Sequence, residues 1–171
     1  YPNHTNPASA LLYLSLCIEG IHKGEYSLDH LDKLPDGLNG YYYELFTRQF
    51  GNDIKGYREN IAPILQLMVA AKKNLHLPFI KYLLGISDSK LYEICAALEH
   101  ICRTVKEDGV EIISFFHNSI ENWITTYRLS GLFYVSKDEG HIIIASKYVQ
   151  WLLNPSPNKD ILWQNYKYGL Y

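Results

Sequence analysis

The sequence predicts a mainly α-helical protein with one small β-hairpin. Through most of the chain, apolar residues recur at intervals of three and four, separated by turns that contain glycine or proline, which is the pattern of amphipathic helices. Residues 110–116 differ, because they are rich in β-branched and aromatic side chains and follow the turn-forming Glu107-Asp108-Gly109, as a strand leaving a hairpin would. A chain of 171 residues is long enough for one domain or for two small helical subdomains.

Two helices and a short connecting segment are predicted in the first fifty residues. Leucine and isoleucine are so dense in residues 9–19 that we expect this helix to be buried on most sides. Ser27 is placed to cap a short helical segment at residues 28–34. Pro35-Asp36-Gly37 then starts the second helix, residues 38–50, whose apolar stripe consists of Leu38, Tyr42, Leu45, Phe46 and Phe50.

Three further helices are predicted before the hairpin. Residues 57–73 form a core helix, in which Pro63 is tolerated only near the first turn. Leu77-Pro78 opens the next helix, residues 79–84, and Gly85 closes it. Ser87-Asp88 caps the third, whose shared face is formed by Leu91, Ile94, Cys95, Leu98, Ile101 and Cys102.

Three helices followed by a hairpin at residues 104–116 are the element order of a winged helix, which is found in DNA-binding proteins and in interaction modules. The predicted recognition helix, residues 89–103, sets Lys90 and Arg103 against Glu93 and Glu99, so no basic stripe is available for phosphates. The net charge of −2 and the pI near 6.4 point the same way. We therefore expect no nucleic-acid partner.

His117 is the principal candidate site residue, because it lies where the predicted strand ends and a helix starts. Asn118 or Ser119 can cap this helix, and its apolar face is formed by Ile120, Trp123, Ile124 and Tyr127. Free backbone N–H groups at such a junction favour an anion. The alternative is that His117 is a core or capping residue without a ligand.

The C-terminal part predicts an amphipathic helix at residues 142–153, after Asp138-Glu139-Gly140-His141. Asn154-Pro155-Ser156-Pro157 breaks the chain, and residues 160–171 resume as an aromatic helical stripe. That stripe has no obvious partner, so we expect it to begin a region that continues further. The missing initial methionine likewise suggests a piece of a longer protein.

Several other classes of site have no support in the sequence. Cys17, Cys95 and Cys102 lack metal-ligand spacing, and Cys95 and Cys102 are seven residues apart on one predicted helical face. We interpret all three as buried reduced thiols rather than as metal ligands or disulfide partners. No phosphate-binding loop, nucleophile elbow or zinc motif occurs, and His22 and His30 are assigned no role. No apolar run is long enough to span a membrane, so we expect a cytoplasmic protein without a membrane partner.

Several stretches together carry a resemblance to a known family. They are Leu34-Pro35-Asp36-Gly37-Leu38-Asn39-Gly40-Tyr41-Tyr42, Tyr57-Arg58, Ile61-Ala62-Pro63-Ile64-Leu65, Val69-Ala70-Ala71, Phe116-His117-Asn118-Ser119-Ile120-Glu121-Asn122-Trp123-Ile124, Phe133-Tyr134-Val135 and Gly140-His141. In this order they resemble the region after the ATPase core of NACHT-type STAND NTPases, signalling ATPases that include animal NOD-like receptors.

The resemblance implies a helical lid of the NTPase module at residues 1–50, a winged-helix domain at residues 51–153 and the start of a helical repeat region at residues 154–171. It implies that ADP or ATP with Mg²⁺ is bound mainly by an upstream NTPase core, and that this segment alone binds no cofactor and catalyses nothing. His117 and Ser119 would sense the nucleotide, His117 by contacting the β-phosphate of ADP. The implied partners are the NTPase core, the downstream repeats and further copies on activation, and the alternative is a non-catalytic interaction scaffold.

Overall fold

The computed structural model describes residues 7–71 and 74–153, except for the side chain of Trp151. Over these residues the protein is mostly helical with a small antiparallel sheet, so the predicted fold class is confirmed. The chain divides into two compact units, Tyr1–Asn52 and Asp53–Tyr171. The predicted repeat start at residues 154–171 lies outside the described residues.

The first unit contains α1 (Pro7–His22), a 3₁₀ segment (Leu28–Lys33) and α2 (Gly37–Phe50). Ser27 caps the 3₁₀ segment as predicted, since its hydroxyl accepts a hydrogen bond from the Asp29 N–H at 3.2 Å. The predicted stripe of α2 is also confirmed from Tyr42 to Phe50, with Leu38 half-buried.

The expectation that α1 is buried on most sides is wrong. Leu11, Leu14 and Ile18 are 69%, 54% and 53% exposed, whereas Cys17 and Gly20 are buried. Within its unit α1 packs mainly against α2, and the Tyr13 hydroxyl donates to the Pro35 carbonyl, so the described contacts leave much of α1 exposed. Leucine density predicted a helix but could not specify how many neighbours it has.

A continuous helical run opens the second unit. It consists of α3 (Ile54–Gly56), a π-helical turn (Tyr57–Ile61) and α4 (Ala62–Ala70). Pro63 lies in the first turn of α4, as expected, and directly follows the π-helical turn, in which the Ala62 N–H donates to the Tyr57 carbonyl. This wider turn accommodates a proline that would break the regular hydrogen-bond ladder.

The sheet has three strands in the order β1-β3-β2, with β1 at Leu75–His76, β2 at Cys102–Glu107 and β3 at Val110–Phe115. The hairpin was predicted and β1 was not, since two residues carry no alternation signal. Asp108 and Gly109 both have positive φ, at 50° and 82°, as a tight two-residue hairpin turn requires. With α4, α5 (Leu77–Leu84) and α6 (Asp88–Ala97), these strands have the element order of a winged helix.

The predicted third helix is too long. α6 is capped by Ser87 and α5 is closed by left-handed Gly85, both as predicted, but α6 ends at Ala97. Ile101 and Cys102 are buried in the turn and in β2, so Cys95 and Cys102 do not share a helical face. The prediction was wrong because the helical spacing of apolar residues in the sequence extends to Cys102, whereas in the structure Cys102 pairs with Phe115 in the sheet.

After the hairpin come α7 (Asn118–Ile124), α8 (Tyr127–Ser130), a 3₁₀ turn (Gly131–Phe133) and α9 (Lys137–Leu153). Tyr127 starts α8 and is 71% exposed, so the prediction that it extends the buried face of α7 is wrong. α9 starts earlier than expected and includes Gly140, which lies against the backbone of α4. No helix in the described part of the chain is long and apolar enough to cross a membrane.

Candidate functional site

The strand-to-helix junction that contains His117 is built on three buried anchors. Ile120, Trp123 and Ile124 place α7 on the core, each with at most 4% of its surface exposed. On the strand side, the Phe116 N–H donates to the Ile101 carbonyl at 3.1 Å and holds the end of β3 beside β2. Phe116 and His117 themselves are exposed. Buried side chains on one side of the junction therefore position an accessible imidazole on the surface.

His117 itself is the N-cap of α7, a role that the sequence assigned to Asn118 or Ser119. Its Nδ1 accepts a hydrogen bond from the Ser119 backbone N–H at 3.1 Å, and the Ser119 hydroxyl oxygen lies 2.6 Å from the same nitrogen. Because Nδ1 acts as an acceptor, the neutral ring carries its proton on Nε2. Nε2 is then the ring atom that can donate to an external group.

The backbone amides at this junction are less available than the sequence suggested. The Ser119 N–H donates to the His117 ring, and the Ile120 N–H donates to the His117 carbonyl at 3.1 Å, so both amides are already engaged. α7 is also only seven residues long, so its macrodipole is small. Any affinity of this junction for an anion therefore has to come from the imidazole rather than from the helix end.

A groove of about 220 Å³ lies beside the junction, bounded by α4, β1, β3 and α7. Its polar lining includes Asn74, Ser114, Asn118 and Glu121, and Leu75 contributes an apolar wall. Glu121 is the charged side chain among the described lining residues, so the groove itself does not favour a phosphate. No feature of the sequence predicted this groove, because β1, which forms part of its wall, was not predicted.

The surface of α6 does not resemble a phosphate-binding helix. Tyr92, Glu93 and Ala96 are exposed, and the Tyr92 hydroxyl donates to the Glu111 carboxylate at 3.0 Å. Lys90 pairs with Glu93 at 3.1 Å, which balances its charge locally. This distribution gives no basic contact surface for a nucleic-acid backbone.

The thiols in the second unit are poorly suited to nucleophilic chemistry. Burial raises the pKa of the Cys102 thiol well above its ordinary range. The pKa of the Cys95 thiol is also raised, mainly by burial and to a smaller extent by the negative charge of the Glu111 carboxylate. Both cysteines, like Cys17, are free thiols. Within residues 7–71 and 74–153, no group of three or more His, Cys, Asp or Glu side chains is arranged to hold a metal ion.

No protein-family model, curated protein or solved structure matches this chain. The family resemblance therefore rests on the sequence motifs themselves.

Proposed function

We propose that this chain is the regulatory lid and winged-helix segment of a nucleotide-controlled signalling ATPase of the NACHT type. An upstream ATPase module in the same protein would bind ADP or ATP with Mg²⁺. His117 would donate from Nε2 to the β-phosphate of ADP and so favour the closed, inactive state. Exchange of ADP for ATP would remove this contact and release the segment for oligomerisation.

The observation that carries this proposal is the hydrogen bond that Nδ1 of His117 accepts from the Ser119 backbone N–H. A phosphate oxygen is an acceptor, so a neutral imidazole can bind it only through a protonated nitrogen. Ser119 engages Nδ1 through its N–H at 3.1 Å, which leaves Nε2–H for the phosphate. The nucleotide-sensing role predicted for Ser119 would then be indirect, because Ser119 positions His117.

The test is calorimetric ADP binding by the 171-residue chain alone and by the chain joined to the sequence encoded upstream of it. We expect the longer protein to bind and the chain alone not to bind. His117→Asn keeps an N-cap acceptor but removes the Nε2 donor, and should weaken ADP binding about tenfold to hundredfold, as expected for a hydrogen bond to a charged group. His100→Asn, at an exposed histidine outside the stretches that carry the family resemblance, is the matched control and should leave ADP binding unchanged.

In the full protein the same His117→Asn substitution should raise basal signalling, and His117→Ala should do the same. Unchanged ADP affinity together with an unchanged oligomeric state would refute the switch.

The second candidate function is a non-catalytic interaction scaffold, in which His117 serves only as a cap. The specific observation in its favour is that His117 already satisfies the start of α7 by accepting the Ser119 N–H. If neither protein binds ADP, this function is preferred.

A further inference from the structure

β2 forms an open edge of the three-stranded sheet. It is an outer strand in the order β1-β3-β2, and residues 103–107 are all exposed. Among the described elements, β3 is the one that β2 packs against closely. An open edge presents unpaired main-chain donors and acceptors and is a template for another strand.

Along β2, the main-chain N–H and C=O groups of successive residues point alternately toward β3 and toward the open edge. Glu107 and Val110 flank the two-residue turn and therefore form a pair that exchanges both main-chain hydrogen bonds. Every second residue of β2 bonds to β3 in the same way. The N–H and C=O groups of Thr104 and Lys106 consequently point away from β3, toward the open edge.

The exposed sequence Arg103-Thr104-Val105-Lys106-Glu107 is self-complementary when it is paired antiparallel about Val105. Arg103 then lies opposite Glu107, Thr104 opposite Lys106 and Val105 opposite itself. We propose that β2 pairs with β2 of a second copy of this chain across a two-fold axis at Val105. This inference is independent of the proposed nucleotide switch.

The charges of β2 favour this partner. Within its own hairpin Arg103 faces Ser114, and Glu107 faces Val110, so neither has an oppositely charged neighbour across the strand pair. Among the described residues neither forms an ion pair. In the proposed dimer each finds one in the other copy, on the same face of the extended sheet.

The charges also select the register. Shifting the register by two residues in one direction would place Lys106 opposite Lys106 of the second copy, which is a repulsive pair. Shifting it by two residues in the other direction would place Arg103 opposite Val105, so the ion pair with Glu107 would be lost. The register centred on Val105 instead pairs Arg103 with Glu107 twice. Lys106 adds little repulsion there, because it already faces Glu111 in its own hairpin.

The pairing would be weak. Thr104 of each copy pairs with Lys106 of the other, and these two pairs supply four main-chain hydrogen bonds. The dimer also contains two ion pairs and a contact between the two Val105 side chains, each of which is 40% exposed in the single chain. Such a short edge buries less surface than a standard interface, so we expect a dissociation constant on the order of 100 μM. High salt should weaken it, because both ion pairs are exposed.

The test is analytical ultracentrifugation of the 171-residue chain at concentrations up to about 0.5 mM, a range that covers a dissociation constant of this order. Glu107→Arg replaces both ion pairs by like charges and should raise the dissociation constant about tenfold or more. The double variant Arg103→Glu with Glu107→Arg swaps the charges and should restore dimerisation. Glu99→Arg makes the same charge change at an exposed position outside β2 and should leave dimerisation unchanged.

Disulfide trapping gives a second measurement. In a non-hydrogen-bonded antiparallel pair the Cα atoms are about 4.5 Å apart, which is within disulfide range. Air oxidation should therefore give a covalent dimer of Val105→Cys and none of Thr104→Cys, whose equivalent residue is offset along the strand. A chain that stays monomeric, a dimer insensitive to Glu107→Arg, or one that the charge swap does not restore would overturn the proposal.

Discussion

The capping role of His117 can be tested by replacing it with alanine, asparagine and aspartate. His117→Ala removes the Nδ1 acceptor of the Ser119 N–H, which is bonded at 3.1 Å, and the contact of the same nitrogen with the Ser119 hydroxyl at 2.6 Å. Asparagine and aspartate are the preferred N-cap residues and can accept from the same amide. The three variants therefore separate loss of the cap from loss of the ring.

The expected magnitude follows from the position of the cap. Loss of an N-cap acceptor costs about 1 kcal/mol, within a range of roughly 0.5 to 2. His117 is exposed, so no buried surface is lost with the ring, and the capping bond accounts for most of the change. For a chain of this length, 1 kcal/mol corresponds to a melting temperature lower by roughly 2 to 4 °C.

The assay is urea unfolding at neutral pH, followed by circular dichroism, with His141→Ala as the control for removing an exposed imidazole. We expect His117→Ala to lower the free energy of unfolding, and His117→Asn and His117→Asp to match or exceed the wild type. Equal destabilisation by all three variants would refute the capping argument, and so would an alanine variant as stable as the wild type.

Three further predictions concern the packing of the second unit and the α5 cap. The hydroxyl of Tyr57 donates to a buried carbonyl at 2.7 Å, so Tyr57→Phe should cost about 1 to 3 kcal/mol at neutral pH, measured by urea unfolding. Burial raises the pKa of Tyr57 above its ordinary value near 10. The protonated hydroxyl therefore stabilises the folded state at pH values below 10, and this stabilisation is lost as the pH rises through the pKa of the folded state. Repeating the measurement at alkaline pH should show a smaller difference between wild type and Tyr57→Phe. Gly140→Ala would drive a methyl group into the Gln66 carbonyl and should lower the free energy of unfolding by about 1 to 3 kcal/mol, while Ser146→Ala on the exposed face of α9 should not. Gly85 has a φ of +66°, and a methyl group added there would meet no other atom. Gly85→Ala should therefore lower the free energy of unfolding by about 1 kcal/mol through backbone strain alone, which thermal unfolding would detect as a lower melting temperature.

Much of the local structure could be predicted because its causes lie close together in the chain. Ser27 and Ser87 cap helices through their own hydroxyls, and Gly85 ends α5 in the left-handed conformation that favours glycine. Asp108-Gly109 forms the hairpin turn with both φ values positive. Each of these features depends on a few adjacent residues, so the sequence was sufficient.

The errors occurred where distant segments compete for the same residues. Helical spacing predicted a third helix through Cys102, but pairing with β3 takes that residue into the sheet. Tyr127 fits the periodicity of α7, yet the helix ends at Ile124, whose carbonyl accepts from the Val135 N–H at 3.0 Å. Local preference lost to a long-range hydrogen bond in both places.

The candidate site shows the same division. The sequence alone singled out His117, because the change from a strand pattern to a helical one is visible within a few residues. The bond between the His117 ring and the Ser119 N–H is also local, but the sequence pattern did not distinguish His117 from Asn118 or Ser119 as the cap. Only the tertiary structure decided that a groove with an acidic side chain lies beside this junction, because the groove is formed by segments that are distant in the chain. Turns and caps are fixed by interactions between near neighbours, whereas burial and strand pairing depend on which remote segments fold together.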